Sequence, residues 1–263
     1  MKLTAALFLW FAAALAQSTS PGTAAYRRAE EWFEKGQFQD SLTELDHALS
    51  LDPKLVPALT LKAKLAMSIK RYDVAHECLD RALAADPKAW YAQFLIGFLH
   101  YQQNQMPQAV EELGKSRRLN PADPRSALYL GLANETLGRP AEALRLYDEA
   151  IRLEQASGKP NAGPWITCAR LLIVRGDLDA AAKRIAQALR IEPNSRDAHF
   201  ESARLLLKQG LPVESAREGE TALKLAGEVA DRQVHYLLVQ AYRAAGREKD
   251  ADRHAEAIRS GEK

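Results

Sequence analysis

The chain has 263 residues, with 36 Lys and Arg against 34 Asp and Glu. That near balance offers no basic footprint for nucleic acid and no polybasic patch for a membrane surface. Ala and Leu dominate alongside Glu, Arg and Lys, a helix-forming mixture, while sparse Val and Ile argue against much sheet.

Residues 1–16 stand apart. One Lys precedes an apolar run from Leu3 to Ala16, and Ala14-Leu15-Ala16 fits the small-x-small rule for cleavage, with Gln17 as the mature start. The fourteen residues of this run reach ~21 Å at about 1.5 Å each, short of a ~30 Å hydrocarbon core. A secretory signal is therefore expected, directing the protein to the periplasm or out of the cell, with no integral span in the mature chain. The rival is an uncleaved leader that holds the chain at a membrane. Residues 17–21 read as a linker, and 22–263 as one repeat domain.

The repeat appears first at Pro residues. "HALSLDP", "RALAADP" and "KSRRLNP" end at Pro53, Pro87 and Pro121, each 34 residues after the last. "QALRIEP" ends at Pro193, and a concealed repeat end at Gln155 divides that longer interval into 34 and 38. The four extra residues fall in the turn-rich "ASGKPNAG". Between these markers lie turns at Gly36, Lys70, Asn104, Gly138, Gly176, Gly210 and Gly246, where glycine and asparagine suit a left-handed helix end. The unit is helix, short turn, helix, Pro-marked turn.

Small residues keep the same register. Ser41, Ala75, Ala109, Ala143, Ala181, Ser215 and Ala251 follow each turn by five. Ala48, Ala82, Ser116, Ala150, Ala188 and Ala222 come seven later, and Ala29, Ala63, Gly97, Gly131, Ala169 and Ala203 precede each turn by seven. Side chains this small let two helix backbones approach closely. Seven units start near 22, 56, 90, 124, 162, 196 and 232, the last degenerate after Ala251 and polar enough to serve as a solvated cap.

One helix is unusual. "AWYAQFLIGFLHYQQ", residues 89–103, is apolar on nearly every side, the mark of a buried helix. At about 100° per residue, Tyr91, Phe94, Phe98 and Tyr101 form one stripe. Ile96, Gly97 and His100 form another, in the small-residue register. The first stripe is left over once the second is packed.

Catalytic motifs do not emerge: there is no Gly-rich phosphate loop, no G-x-S-x-G and no H-E-x-x-H. The six histidines are scattered; His199 and His235 occupy equivalent places in adjacent units, a poor metal site without a third ligand. Cys78 and Cys168 lie about three units apart and are expected to stay unpaired, since packed helices spaced ~8–10 Å apart hold them beyond disulfide reach. Asn134-Glu135-Thr136 fits a glycosylation sequon but falls on a packed helix face. No enzyme activity, cofactor or metal is expected.

The 34-residue helix-turn-helix with these small residues and the closing Pro resembles the tetratricopeptide repeat family. Trp165, Leu171, Gly176, Leu178, Ala181, Ile185, Ala188 and Pro193 follow its pattern closely, whereas Lys70 and Asn104 depart from the turn Gly, and Gln155 and Gly227 from the Pro. The resemblance implies an all-α solenoid of antiparallel helix pairs wound as a right-handed superhelix. It also implies that the aromatic stripe faces a concave groove. The same offsets in later units place Leu128, Leu132, Ile166, Arg170, Ile173, Phe200 and Arg204 on that face, with Lys64 in the second unit. An acidic-peptide clamp is not expected, because the corresponding positions carry Tyr26, Glu30, Leu61 and Lys64. The expected function is a non-catalytic scaffold. It would bind an apolar or aromatic peptide segment or a partner helix, with Arg170 and Arg204 meeting acidic groups, within an exported assembly. Two alternatives stay open: self-association through the same face, and coverage of the stripe by neighbouring repeats.

Overall fold

The computed structural model describes residues 20–158, 160–227 and 231–260. The expected signal at 1–16, with its cleavage site, lies outside them. Fourteen helices and no strand occur among the described residues. They fall into two compact units, up to Asn120 and from Pro121. The first holds three helix pairs: α1 (Pro21–Glu34) with α2 (Phe38–Leu51), α3 (Val56–Ser68) with α4 (Tyr72–Ala85), and α5 (Trp90–Gln102) with α6 (Met106–Leu119). The second holds four: α7 (Pro124–Thr136) with α8 (Pro140–Ala156), α9 (Gly163–Arg175) with α10 (Leu178–Ile191), α11 (Arg196–Lys208) with α12 (Pro212–Ala226), and α13 (Arg232–Ala244) with α14 (Glu248–Ser260). In each unit, consecutive pairs stack on one another, which defines an all-α tetratricopeptide-type architecture.

Every pair turns in the same way. Gly36, Gly138, Gly176, Gly210 and Gly246 adopt positive φ, and so do Lys70 and Asn104, both at +59°. At each turn the next amide reaches back five residues: Gln37 to Trp32, Arg71 to Ala66, Gln105 to His100, and likewise through Arg247 to Tyr242. This closes otherwise unsatisfied carbonyls at the helix end.

Between turns, the small residues set the spacing. Ser41 donates its hydroxyl to the Ala29 carbonyl at 2.8 Å, and Ser215 does the same to Ala203 at 2.8 Å. A hydroxyl this short reaches the partner helix's backbone only where the two helices lie close, and Ser116 does so as well, donating to the Trp90 carbonyl at 2.9 Å. A Cβ on Gly97 would stand 2.8 Å from the Leu113 backbone nitrogen, so no side chain fits there. The longer connection before α9 is pinned by carboxylates. Glu154 accepts from the Asn161 side-chain and backbone amides at 2.5 and 3.3 Å, and Glu192 accepts from the Ala162 amide at 2.8 Å.

The first unit buries Leu45, Leu59, Leu79, Leu99 and Leu113 completely. The second centres on Trp165 and Tyr147, whose hydroxyl donates to Glu135 at 2.5 Å, with a further cluster of Val234, Leu238, Ala241 and Ala251 towards its end. Cys78 and Cys168 are free, buried thiols, and Asn134 is also buried, its amide donating to the Leu130 carbonyl at 2.8 Å.

Lys70→Gly should raise stability by about 0.5–1 kcal/mol, because an L-residue in the left-handed region costs more than glycine's extra chain entropy. Gly97→Ala should lower it by roughly 1–3 kcal/mol through the clash with Leu113. Urea midpoints check both. Burial pushes the Cys168 thiol up to about 11 and raises Cys78 as well. Both should resist alkylation in the native protein and label rapidly, without reductant, once it is unfolded.

Candidate functional site

Within the first unit, α5 carries a ladder of parallel rings. Tyr91 and Phe94 stack with centroids 6.0 Å apart, Phe94 and Phe98 at 6.1 Å, and Phe98 and Tyr101 at 6.5 Å, with interplanar angles of 10°, 5° and 14°. Spacings of three and four residues along one helix produce this directly. The upper end of the ladder opens into a cavity of about 550 Å³ between the first helices of the three repeats. Tyr26 and Phe33 of α1, Leu61 and Lys64 of α3, and Trp90 and Tyr91 of α5 form its walls.

The four rings there are only half-buried, so aromatic surface faces the opening. Polar atoms sit beside it. The Tyr26 hydroxyl donates to Glu30 at 2.9 Å, and burial followed by that carboxylate pushes the phenol up to about 12, so it is neutral at any ordinary pH. The Lys64 ammonium rests 4.7 Å from the Phe33 ring centre, a cation–π contact that keeps its charge at the rim.

The second unit has a different cavity, about 600 Å³, between α9, α11 and α13. Ile166, Arg170, Phe200 and Arg204 line it together with Arg196, Glu201 and Tyr236, the last 53% exposed. The Arg196 and Arg204 guanidinium carbons lie 5.1 and 5.9 Å from the Phe200 ring centre. Each arginine already has a carboxylate. Arg170 donates to Glu135 at 3.2 and 3.3 Å, Arg204 to Glu201 at 2.8 and 2.9 Å, and Arg196 to Asp231 and Asp197. Glu201 is 5% exposed, and burial raises its carboxyl above the usual range while Arg204 opposes the rise. An acidic ligand would have to share Arg170 and Arg204 with these internal partners.

The expected groove residues thus divide between the units. Tyr91 lines the first cavity, whereas Phe98 and Tyr101 continue the ladder beyond it, half-buried. Phe94 is a correction: at 5% exposure it is enclosed between its stacked neighbours and offers little to a ligand. Ile173 is another, 2% exposed and part of the core around Trp165. Leu128 and Leu132 are partly buried against that core. His199 and His235 do not pair; His199 bonds Glu218 at 2.8 Å. Among the described residues no group of three or more His, Cys, Asp or Glu is arranged to hold a metal ion.

Phe33 and Trp90 in the first cavity, and Gln233 and Tyr236 in the second, are absent from the expected groove, and Tyr26 enters the expectation only as an inner position that argues against an acidic-peptide clamp. The signal existed. Tyr26 and Phe33 hold in the first repeat the offsets of Phe94 and Tyr101 in the third, and Gln233 and Tyr236 hold in the last those of Tyr91 and Phe94.

Two family models, both described as tetratricopeptide repeat, match residues 60–116 and 99–160 in one case and 136–199 in the other, together more than half of the chain. Anaphase-promoting complex subunit 3 of Schizosaccharomyces pombe is 22% identical over 164 residues, which is 62% of this chain and 24% of that protein. Among solved structures, the Cut9–Hcn1 hetero-tetramer of the APC/C matches with a TM-score of 0.75 at 17% identity, over 89% of this chain and 45% of that one. A tetratricopeptide repeat protein from Parabacteroides merdae matches with a TM-score of 0.64 at 16% identity, over 86% of each. These likenesses carry the fold. The chain spans only 24% of the curated relative's length and 45% of the Cut9–Hcn1 chain it matches.

Arg204→Met should cost about 2–3 kcal/mol at neutral pH, because it strands a buried carboxylate. Glu201 without its partner is raised further, so the deficit should shrink as the pH falls and the carboxyl becomes neutral. Unfolding curves of both proteins across the carboxylate range check the sign.

Proposed function

Because the chain belongs to the tetratricopeptide repeat family, we propose that it is a non-catalytic scaffold that holds an apolar, aromatic-bearing peptide segment in the cavity of its first unit. The observation that carries this reading is the set of half-buried rings, Tyr26, Phe33, Trp90 and Tyr91, around a cavity of about 550 Å³. That volume is in the range of ligand pockets and accommodates one or two large side chains. Aromatic walls supply contact area at low entropy cost, since each ring has only two torsions to fix. Glu30 and Lys64 at the rim give a bound backbone an acceptor and a donor. Tetratricopeptide repeats generally serve protein–protein interaction, and among the described residues no helix is long and apolar enough to cross a membrane. Export to the periplasm or the medium belongs to the same proposal, and a mature chain starting at Gln17 would support it.

Selection from a random peptide library should enrich sequences bearing Phe, Tyr, Trp or Leu. The double change Tyr26→Ser and Tyr91→Ser should weaken the enriched peptides at least about tenfold, or 1.4 kcal/mol, while leaving the fold intact by circular dichroism. Unchanged affinity in a folded double variant would sink the cavity as the binding site. Light scattering over a concentration series separates peptide capture from self-association.

A further inference from the structure

The last repeat carries a polar cluster that neither cavity explains. His235 on α13 and His254 on α14 face each other through their Nδ1 atoms, 2.9 Å apart. His254 Nε2 lies 3.0 Å from Glu220 Oε1 on α12, and the same oxygen accepts the Tyr242 hydroxyl at 2.8 Å. His254 is 3% exposed, with its ring stacked on Tyr242 at 5.6 Å and 8°. One imidazole therefore joins the last helix to the two helices before it.

Hydrogen-bond valence fixes the protons. An ionised Glu220 only accepts, so neutral His254 carries its proton on Nε2. Its bare Nδ1 then accepts from the Nδ1–H of His235. One added proton is tolerated: His254 Nδ1–H can donate to a His235 whose own proton has moved to Nε2. A second is not, because two Nδ1–H groups would then point at each other across 2.9 Å.

The surroundings of His254 favour its neutral form. From α12 only the Glu220 carboxylate faces His254, and α13 presents His235 and Tyr242. On α14 itself, Arg253 lies 3.3 Å from His254 Nε2 and 3.2 Å from Glu220, with Asp250 at 4.0 Å behind it. Arg247, in the turn, lies over the Tyr242 ring at 4.7 Å from its centre. Burial lowers His254 from its ordinary 6.5; Glu220 opposes the shift, and Arg253 and His235 add to it.

We propose that His235 and His254 form an acid-operated latch that fastens α14 to α12 and α13 and releases it when both imidazoles are protonated. The sign follows from proton counting. The latched state binds fewer protons than the open one, so the hold is complete above the ordinary value of 6.5 and is lost as the pH falls through the lowered one. Release uncovers the apolar cluster that Ala251 of α14 completes with Val234, Leu238 and Ala241. The end of the second unit would then present oily surface only in acid.

Hydrogen exchange on the full chain tests this, with rates corrected for intrinsic pH dependence. Peptides spanning 248–260 should lose protection about tenfold or more between about pH 7.5 and pH 5, while peptides from α9 and α10 keep theirs. In His235→Gln, an amide still donates to His254 but only one group titrates, so α14 should stay protected to lower pH. Equal protection of α14 at both pH values would overturn the latch. So would an unchanged pH dependence in His235→Gln. Should that variant misfold, imidazole titration in the unaltered protein decides: two independent single-site curves, rather than coupled ones, would also overturn it.

Discussion

The closeness of two helix backbones within one repeat governs the architecture of both units. Gly97 admits no side chain beside Leu113, and the Ser41 and Ser215 hydroxyls reach carbonyls on the partner helix. Contact that tight permits no lateral slip, so each pair sits in a single register. The left-handed turns then follow as a requirement, because only a reversal within about three residues returns the chain at that distance. Stacking supplies the remaining burial, as repeats that cannot cover their own apolar faces must.

With the pairs locked, the first helix of each repeat presents a predictable face. Side chains from the same face of the first helices of different repeats meet around each cavity: Tyr26, Lys64 and Tyr91 in one, Arg170, Phe200 and Tyr236 in the other. What distinguishes the cavities is residue choice on an identical frame. The first offers aromatic walls with one ammonium held over a ring. The second offers guanidinium groups already neutralised by Glu135, Glu201 and Asp231. Formal charge on the second face therefore overstates its attraction for an anion.

Periodicity made the fold legible, because turn residues, small residues and Pro each repeat for separate physical reasons and agree in phase. Lys70 and Asn104 show how strongly the frame rules the individual residue: both take the left-handed conformation in the place of glycine. The candidate site was legible in part. Helical spacing put Tyr91, Phe94, Phe98 and Tyr101 on one stripe, but spacing does not report depth, and Phe94 is enclosed where Tyr91 is open. Ile173 failed in the same way, since its offset names a face but not how far the neighbouring core extends. The pairing of Arg170 with Glu135, 35 residues earlier, joins adjacent repeats and needs three dimensions to be seen. His254 was hidden by the last repeat itself, whose polar composition suggested a solvated cap rather than a buried imidazole.

The two turns closed without glycine both lie in the first unit, after α3 and α5. A modular stack breathes by opening hairpin by hairpin, and it opens where closure is least favourable. The hairpins with the poorest hinges are thus the ones whose leading helices wall the aromatic cavity. Any guest lodged there would brace the weakest joints of that unit, so occupancy would register as slower fraying of its second and third hairpins.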